Sequence, residues 1–391
     1  MKELAILGGE PILSKKINRL SPFGKEELSK CKEVFNDGFL SRAGRGKYVK
    51  LFENSFANFH KVKYAVSTSS GTSALHTAVV ALNIKEGDEV LVPALTFISS
   101  ASVILQQKAK PVFVDIDPET FCLDPGDLRK KITKKTKAIL VVHLYGYISS
   151  MDSIKKIASY YKLKIIEDCA QSHGAKYKNN IAGSLGDIAC FSFYQTKNMS
   201  CGEGGMIITN NEQLYKNCSS IVDHGLIEGD LQSYDYDRLG YNYHLTEIQA
   251  AVGLEQLKKL RKMNIQRRKN AFLYRKLLNN TGLFFQKENK EVEHAYYCLT
   301  ALLPKKFSKL RDWFVEAVRL ENVEINKLYP IPLNKTKLFK KLGYKEDSIV
   351  ANDVSSRLFN FYTNPGISGK NIFLTCEAVK KVLNYLDEKH D

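Results

Sequence analysis

Between about residues 50 and 250, short apolar runs alternate with segments of helical period. GTSALHTAVVAL places Leu75, Val79 and Leu82 at i, i+4 and i+7, on one face of a helix. GDEVLVPALTF then reads as a turn and a strand, SSASVILQQ as a helix, and AKPVFVDI as a strand. DPGDLRKKI opens a helix, KAILVVHLYG is an apolar strand, and MDSIKKIASYYK is an amphipathic helix. LKIIEDCA, DIACFSF and GGMIITN supply three further strands. Strands without polar alternation, separated by helix-length segments, predict an α/β fold with a mostly parallel sheet sandwiched by helices.

From residue 244 the pattern changes. LTEIQAAVGLEQLKKLRKMNIQRRKNAFLYRKLL is one helical stretch with no proline and a single glycine, Gly253. AYYCLTALL follows as a strand, LRDWFVEAVRL as a helix and TCEAVKKVLNYLDEKH as a terminal helix. The expected organisation is an N-terminal segment over 1–20, a large domain over 21–250, and a connecting helix with a smaller α+β domain over 251–391.

Composition narrows the class. Twenty Phe, 20 Tyr and 44% apolar residues exclude intrinsic disorder. No stretch approaches the ~18–20 continuous apolar residues of a membrane span. The opening MKELAILGGEPILSKKINRL has too short an apolar run for a signal peptide, so the chain reads as cytoplasmic. Eight scattered cysteines without CxxC or a Cys/His cluster read as reduced core thiols, not as a metal or disulfide framework. The net charge of +16 favours an anionic partner: nucleic acid, an acidic membrane or a phosphorylated small molecule. The basic residues are spread along the chain, so charge alone does not choose among them.

Four features carry chemistry through their order. Ser70-Gly71-Thr72-Ser73 opens a helix, which suits either a phosphate or simple capping. Glu167-Asp168 ends an apolar strand, where ligands of parallel sheets gather. Lys197 follows the strand IACFSFYQT, where desolvation would make its amine nucleophilic; an exposed loop lysine is the plainer alternative. Gly202-Glu203-Gly204-Gly205 then permits a tight turn or close backbone approach. No GxxxxGK[ST] loop or strand-linked GxGxxG occurs. A phosphate cradle, a strand-end acid and a strand-end lysine are the parts for pyridoxal 5'-phosphate (PLP). Phe97 and Gln171 are of the right type to cover its ring and meet its phenolic oxygen.

The sequence closely resembles the nucleotide-sugar aminotransferases, PLP enzymes of fold type I (aspartate-aminotransferase-like). The resemblance spans KYVKLFENSFANF, SSGTSALHTAVVAL, GDEVLVPALTFISSASVI, KPVFVDIDPETF, IIEDCAQSHGAKY, GSLGDIACFSFYQTKNMSCGEGGMIITNN, LGYNYHLTEIQAAVGLEQL and LYPIPL. It implies that Lys197 is the Schiff-base lysine, Asp168 the partner of the pyridine nitrogen, Phe97 the stacking aromatic and Gln171 the neighbour of the phenolic oxygen. It further implies that Gly71, Thr72, Ser73 and Ser192 bind phosphate. Asn242 and His244 fall in a segment contributed by a neighbouring subunit, which makes a homodimer with shared sites.

The chain departs from the family pattern at His244 for Arg, Tyr194 for His, Asn334 for His, and in NFYTNPGIS around Pro365. A branch that removes a sugar hydroxyl carries His at position 197, so lysine there points to amine transfer. The reaction implied is transfer of an amino group from L-glutamate to a keto-sugar nucleotide. CGEGG after the lysine leans toward a 4-keto-6-deoxyhexose. The alternatives are a PLP-dependent sugar dehydratase, a cyclitol aminotransferase or, in another class, a non-catalytic nucleic-acid-binding regulator. No helix-turn-helix or zinc module is legible for the last.

Overall fold

The computed structural model describes residues 3–15, 21–41, 43, 46–226 and 235–390. Two helices, α1 (Lys25–Asn36) and α2 (Lys47–His60), lead into alternating strands and helices. In order these are β1 (Tyr64–Thr68), α3 (Gly71–Ala81), β2 (Glu89–Pro93), α4 (Ser99–Gln106), β3 (Lys110–Val114) and α5 (Pro125–Lys130). Then come β4 (Thr136–Val142), α6 (Met151–Tyr161) and β5 (Lys164–Asp168). A small hairpin, β6 (Lys176–Tyr177) and β7 (Asn180–Ile181), precedes β8 (Ile188–Ser192), β9 (Gly205–Thr209) and α7 (Glu212–Val222).

Seven of these strands form one sheet in the order β1-β9-β8-β5-β4-β2-β3. Only β9 runs against its neighbours β1 and β8; the other pairs are parallel. The C-terminal ends of β1, β5 and β8 therefore share one edge, where parallel sheets bind ligands. Every residue of β2, β8 and β9 is buried, as their unbroken apolar runs require of strands covered on both faces.

Helix α3 departs from a one-faced reading. It is buried on nearly every side, from Ser73 to Val79, because α4 and α7 cover the side that the sheet does not. Its wealth of Ala, Ser and Thr permits this enclosure.

The long helix α8 (Glu247–Leu277) starts on a reciprocal cap between Thr246 and Gln249. Ala250, Ala251, Leu257, Leu260 and Met263 share a core with Phe52, Phe56, Phe191 and Phe193. Ala271 and Tyr274 belong to a different, C-terminal core. After α8 the chain adds β10 (Phe284–Phe285), β11 (Val292–Glu293), β12 (Leu299–Leu302), α9 (Arg311–Leu320) and β13 (Ile325–Asn326). It closes with α10 (Lys337–Lys341), α11 (Ile349–Arg357), β14 (Leu358–Phe361) and α12 (Gly369–His390). Strands β10-β12-β14-β13 form a second, antiparallel sheet.

The N-terminal segment is sewn to this C-terminal unit. The buried Glu321 carboxylate accepts from Ala5 N at 3.0 Å and Ile12 N at 2.9 Å, and pairs with Lys381 at 2.8 Å. Leu4 and Leu13 enter the same core. All eight cysteines are free, and seven are buried. Among the described residues no helix is long and apolar enough to cross a membrane.

Gly253 is where α8 meets α2: a Cβ there would lie 2.6 Å from Phe52 Cζ. Alanine in place of a helical glycine ordinarily gains about 1 kcal/mol. Here overpacking, typically about 1–3 kcal/mol, opposes it and wins against a ring already enclosed. Gly253→Ala should lower the melting temperature in a thermal scan.

Candidate active site

Adjacent residues on a strand face opposite ways, and β5 ends with two carboxylates so divided. Glu167 points into the core. Its Oε2 accepts from His143 Nε2 (2.9 Å) and Gly183 N (3.0 Å), and its Oε1 from Leu185 N (2.7 Å) and Gly186 N (2.6 Å). Ser149 N donates to His143 Nδ1 at 3.3 Å, which fixes the proton on Nε2. Burial pushes the Glu167 carboxyl up, but these donors outweigh it and hold it below its ordinary value.

Asp168 points toward the edge of the sheet. Oδ2 accepts from Ser100 Oγ at 2.8 Å and Oδ1 from Ala170 N at 3.1 Å. Thr96 Oγ1 lies 3.0 Å from Ser100 Oγ and, since Ser100 gives its proton to Asp168, donates to it. Burial raises the Asp168 carboxyl; these donors and the Lys197 charge counter it only in part. Such a group gains from a cation placed against it.

Lys197 lies in the loop after β8. Neighbouring Asn198 pins that loop, donating from Nδ2 to Asn264 Oδ1 on α8 (2.9 Å) and to Ala295 O (2.8 Å). The ammonium sits over the Tyr297 ring, 4.9 Å from its centroid. Burial lowers its pKa to about 8, against the charge of Asp168, which favours protonation. Acid and amine thus feel each other across the cleft, and at neutral pH an appreciable share of the amine is free base.

The start of α3 completes the site. Ser70 Oγ accepts from Ser73 N at 3.1 Å while Ser73 Oγ accepts from Ser70 N at 2.9 Å. Ser73 is thus spent on the cap. Thr72 Oγ1 lies 2.7 Å from Ser99 Oγ. A Cβ on Gly71 would stand 2.6 Å from Ser192 Cβ, so only glycine lets the end of β8 approach this helix. Ser99 and Ser100, adjacent at the head of α4, tie the hydroxyl cradle to the acid.

Gln171 sits beside Asp168 with its amide held at both ends: Oε1 accepts from Tyr145 N (2.8 Å) and Nε2 donates to Tyr329 Oη (2.6 Å). Phe97 is exposed, its ring 6.4 Å from that of Tyr329. Asn242 is exposed and bridges to Asp223, while His244 Nε2 lies 3.0 Å from Asp223 Oδ1. The carbonyl of Tyr243, between them, accepts from Ser69 N at 2.7 Å, which lays this segment along the head of α3 in the same chain. Asn334 is buried with Nδ2 on Glu346 O and Ser348 Oγ, so its amide nitrogen is engaged within its own C-terminal loop. Tyr194 is exposed at the start of the lysine loop.

Ser100, Tyr297 and Tyr329 escaped the sequence reading. Ser100, three residues after Phe97, had a signal in its spacing. The two tyrosines arrive from the distant C-terminal half: Tyr329 lies in the block LYPIPL that carries the resemblance and Tyr297 in the strand AYYCLTALL, but neither block by itself points to the cleft.

The model of the DegT/DnrJ/EryC1/StrS aminotransferase family matches residues 22–380. The chain belongs to that family. It is 37% identical over 356 residues to the GDP-perosamine synthase of Escherichia coli O157:H7, covering 90% of this chain and 95% of that protein. It is 36% identical over 310 residues to the L-glutamine:2-deoxy-scyllo-inosose aminotransferase of Micromonospora echinospora, covering 76% and 74%. The X-ray structure of an aminotransferase from Psychrobacter cryohalolentis superposes with a TM-score of 0.88 at 31% identity, over 95% of this chain and 99% of that one. The protein is a PLP-dependent sugar aminotransferase with the fold type I architecture.

The residues fit that cofactor at each of its handles. A buried carboxylate with its pKa raised suits a pyridinium, a lysine with its pKa lowered suits an aldehyde, and a hydroxyl-lined helix start without a Cβ suits a phosphate.

An amine with a pKa of about 8 reacts where ordinary lysines remain protonated. Covalent capture of PLP by the apo-protein, trapped with borohydride and located by peptide mass, should mark Lys197 first. Its rate should climb through pH 8 and then level off. A rate still climbing at pH 10 would contradict the desolvated amine.

Proposed function

We propose that this aminotransferase moves an amino group from L-glutamate to a keto-sugar nucleotide, a 4-keto-6-deoxyhexose, and works as a homodimer. The observation that carries the reading is the lowered-pKa amine of Lys197 facing the buried carboxylate of Asp168. Kinship with a protein named for a GDP-linked amino sugar supports the substrate class, and Cys201-Gly202-Glu203-Gly204-Gly205 supports the 4-keto position.

PLP, when bound, supplies a ring that accepts electrons from the bond broken at the amino acid. Lys197 would hold the cofactor between turnovers, and its amine, when free, would take the proton that leaves the donor's α-carbon. Asp168 keeps the pyridine nitrogen protonated, its charge fixed by Ser100 and Ala170 N–H. The hydroxyls of Thr72 and Ser192 and the first turn of α3, which Gly71 lets Ser192 approach closely, would receive the phosphate, while Ser73 shapes the turn from within its cap. Gln171 meets the ring oxygen, and Phe97, exposed in the single chain, covers the ring face. Asn242 serves the site of a second subunit. The net charge of +16 draws in a diphosphate-bearing substrate.

A second reading has a specific support. The Micromonospora relative is named for a cyclitol ketone and for L-glutamine as donor, and the same lysine and acid would serve that pair.

Incubation with L-glutamate or L-glutamine and a panel of nucleotide-linked keto sugars and cyclitol ketones, with assay of the oxo acid released, tests both. Release of 2-oxoglutarate with a 4-keto sugar is expected; release only with a cyclitol overturns the first reading. Lys197→Ala should lose the cofactor's visible band and at least about 10²–10⁴ of the rate. Charge attraction should show as a fall in kcat/KM between 0.05 and 0.5 M salt, a range (roughly 14 to 4 Å in screening length) that brackets surface distances. A flat salt profile would remove the steering role.

A further inference from the structure

Tyr145, Gln171 and Tyr329 form a chain of two hydrogen bonds whose proton directions can be assigned. Tyr145 N is a backbone amide and can only donate, so the Gln171 atom it meets at 2.8 Å is the carbonyl oxygen. The other end of the amide is therefore NH₂, and it donates to Tyr329 Oη at 2.6 Å. Tyr329 Oη is thus occupied as an acceptor, and its own proton must go elsewhere. Among the described residues no acceptor takes it.

The geometry is held with effort. Tyr145 and Tyr329 both have left-handed backbones, φ 59° and φ 62°, rare for bulky residues. Their rings stack at 6.1 Å, and Tyr145 Oη donates to Leu328 O at 3.0 Å, tying the loop before α10 to the central sheet. From the C-terminal sheet, Asn360 Oδ1 accepts from Leu328 N at 2.7 Å. Two strained tyrosines and a doubly bonded amide hold the Tyr329 ring 6.4 Å from that of Phe97 and its hydroxyl within the field of the Asp168 charge.

We propose that Tyr329 is a second hydrogen-bond donor, beside Gln171, to the anionic ring oxygen of the bound cofactor. The proposal rests on Lys197 holding that cofactor, as proposed above. Burial keeps the phenol protonated far beyond working pH, so the donor is always charged with its hydrogen. The oxygen would be gripped by an amide from the central sheet and a phenol from the C-terminal half, and its charge would register whether the two halves are in place.

The test reads the cofactor's colour with no sugar present, so it does not depend on the sugar reading. The visible band of the holoenzyme titrates as the nitrogen joined to Lys197 loses its proton. With that proton gone, the ring oxygen bears uncompensated charge and gains most from a donor, so removing a donor raises the midpoint. Tyr329→Phe keeps the ring stacking and should raise the midpoint by about one pH unit, the size of one good hydrogen bond. The same change made in a Gln171→Ala background separates donation from positioning. An upward shift retained there supports direct donation. A shift in the single variant that vanishes in the Gln171→Ala background overturns it, because Tyr329 would then act only by aiming Gln171. No shift in either background also overturns it. Thermal melts check folding, and Tyr329→Leu replaces the Phe variant if that fails to fold. A wild-type enzyme whose colour does not depend on Lys197 would overturn both this proposal and the reading it rests on, whereas inactivity toward every sugar tried would touch only the substrate class.

Discussion

The alternation of side chains along a β-strand governs the whole cleft. At the end of β5 it sends Glu167 one way and Asp168 the other, and the two carboxylates are treated in opposite fashion. Glu167 is saturated with four donors and anchors the loop 183–186 and His143 beneath the sheet. Because that anchor fixes the strand end, Asp168 can be left under-supplied, with one donor to each oxygen. A one-residue slip of β5 would exchange them and put the satisfied acid in the cleft. The reactivity of the site thus depends on stability invested in the neighbouring residue.

Close approach is the second requirement. The cradle exists because α3 begins on Gly71 against Ser192, and because small hydroxyl residues fill the junction among α3, α4 and β8. Hydroxyls there do double work: Ser70 and Ser73 close the helix cap, while Thr72, Ser99 and Ser100 run from the cradle to the acid. Larger side chains would fill the space that a phosphate needs.

Much of this was legible in the sequence, for physical reasons. Strands buried on both faces read as unbroken apolar runs, and so β2 through β5, β8 and β9 stood out. Asp168 and Lys197 stood out because they end such runs. Other parts were hidden. β1 is a five-residue strand, YAVST, with two of its residues small and polar, and nothing local marks it. That α8 belongs to two cores cannot be read from a periodicity that continues through both. Tyr329 is 158 residues from Gln171, and no local pattern announces a contact of that span. The backbone strain at Tyr145 and Tyr329 is likewise a tertiary effect, imposed by stacking and by hydrogen bonds that only the folded chain supplies.

Helix α8 has a mechanical corollary. Its 31 residues make a rod about 46 Å long, embedded at one end in the core beneath the main sheet and at the other among α9, α12 and the second sheet. Because the rod is continuous across that junction, reorientation of one half against the other must bend hydrogen-bonded helix instead of rotating freely about a loop. The tyrosine that reaches Gln171 has its own mooring: Leu328 and Tyr329 pack against the core of the main sheet and Leu333 N donates to Ala94 O, so its loop follows the sheet and not the far end of the rod.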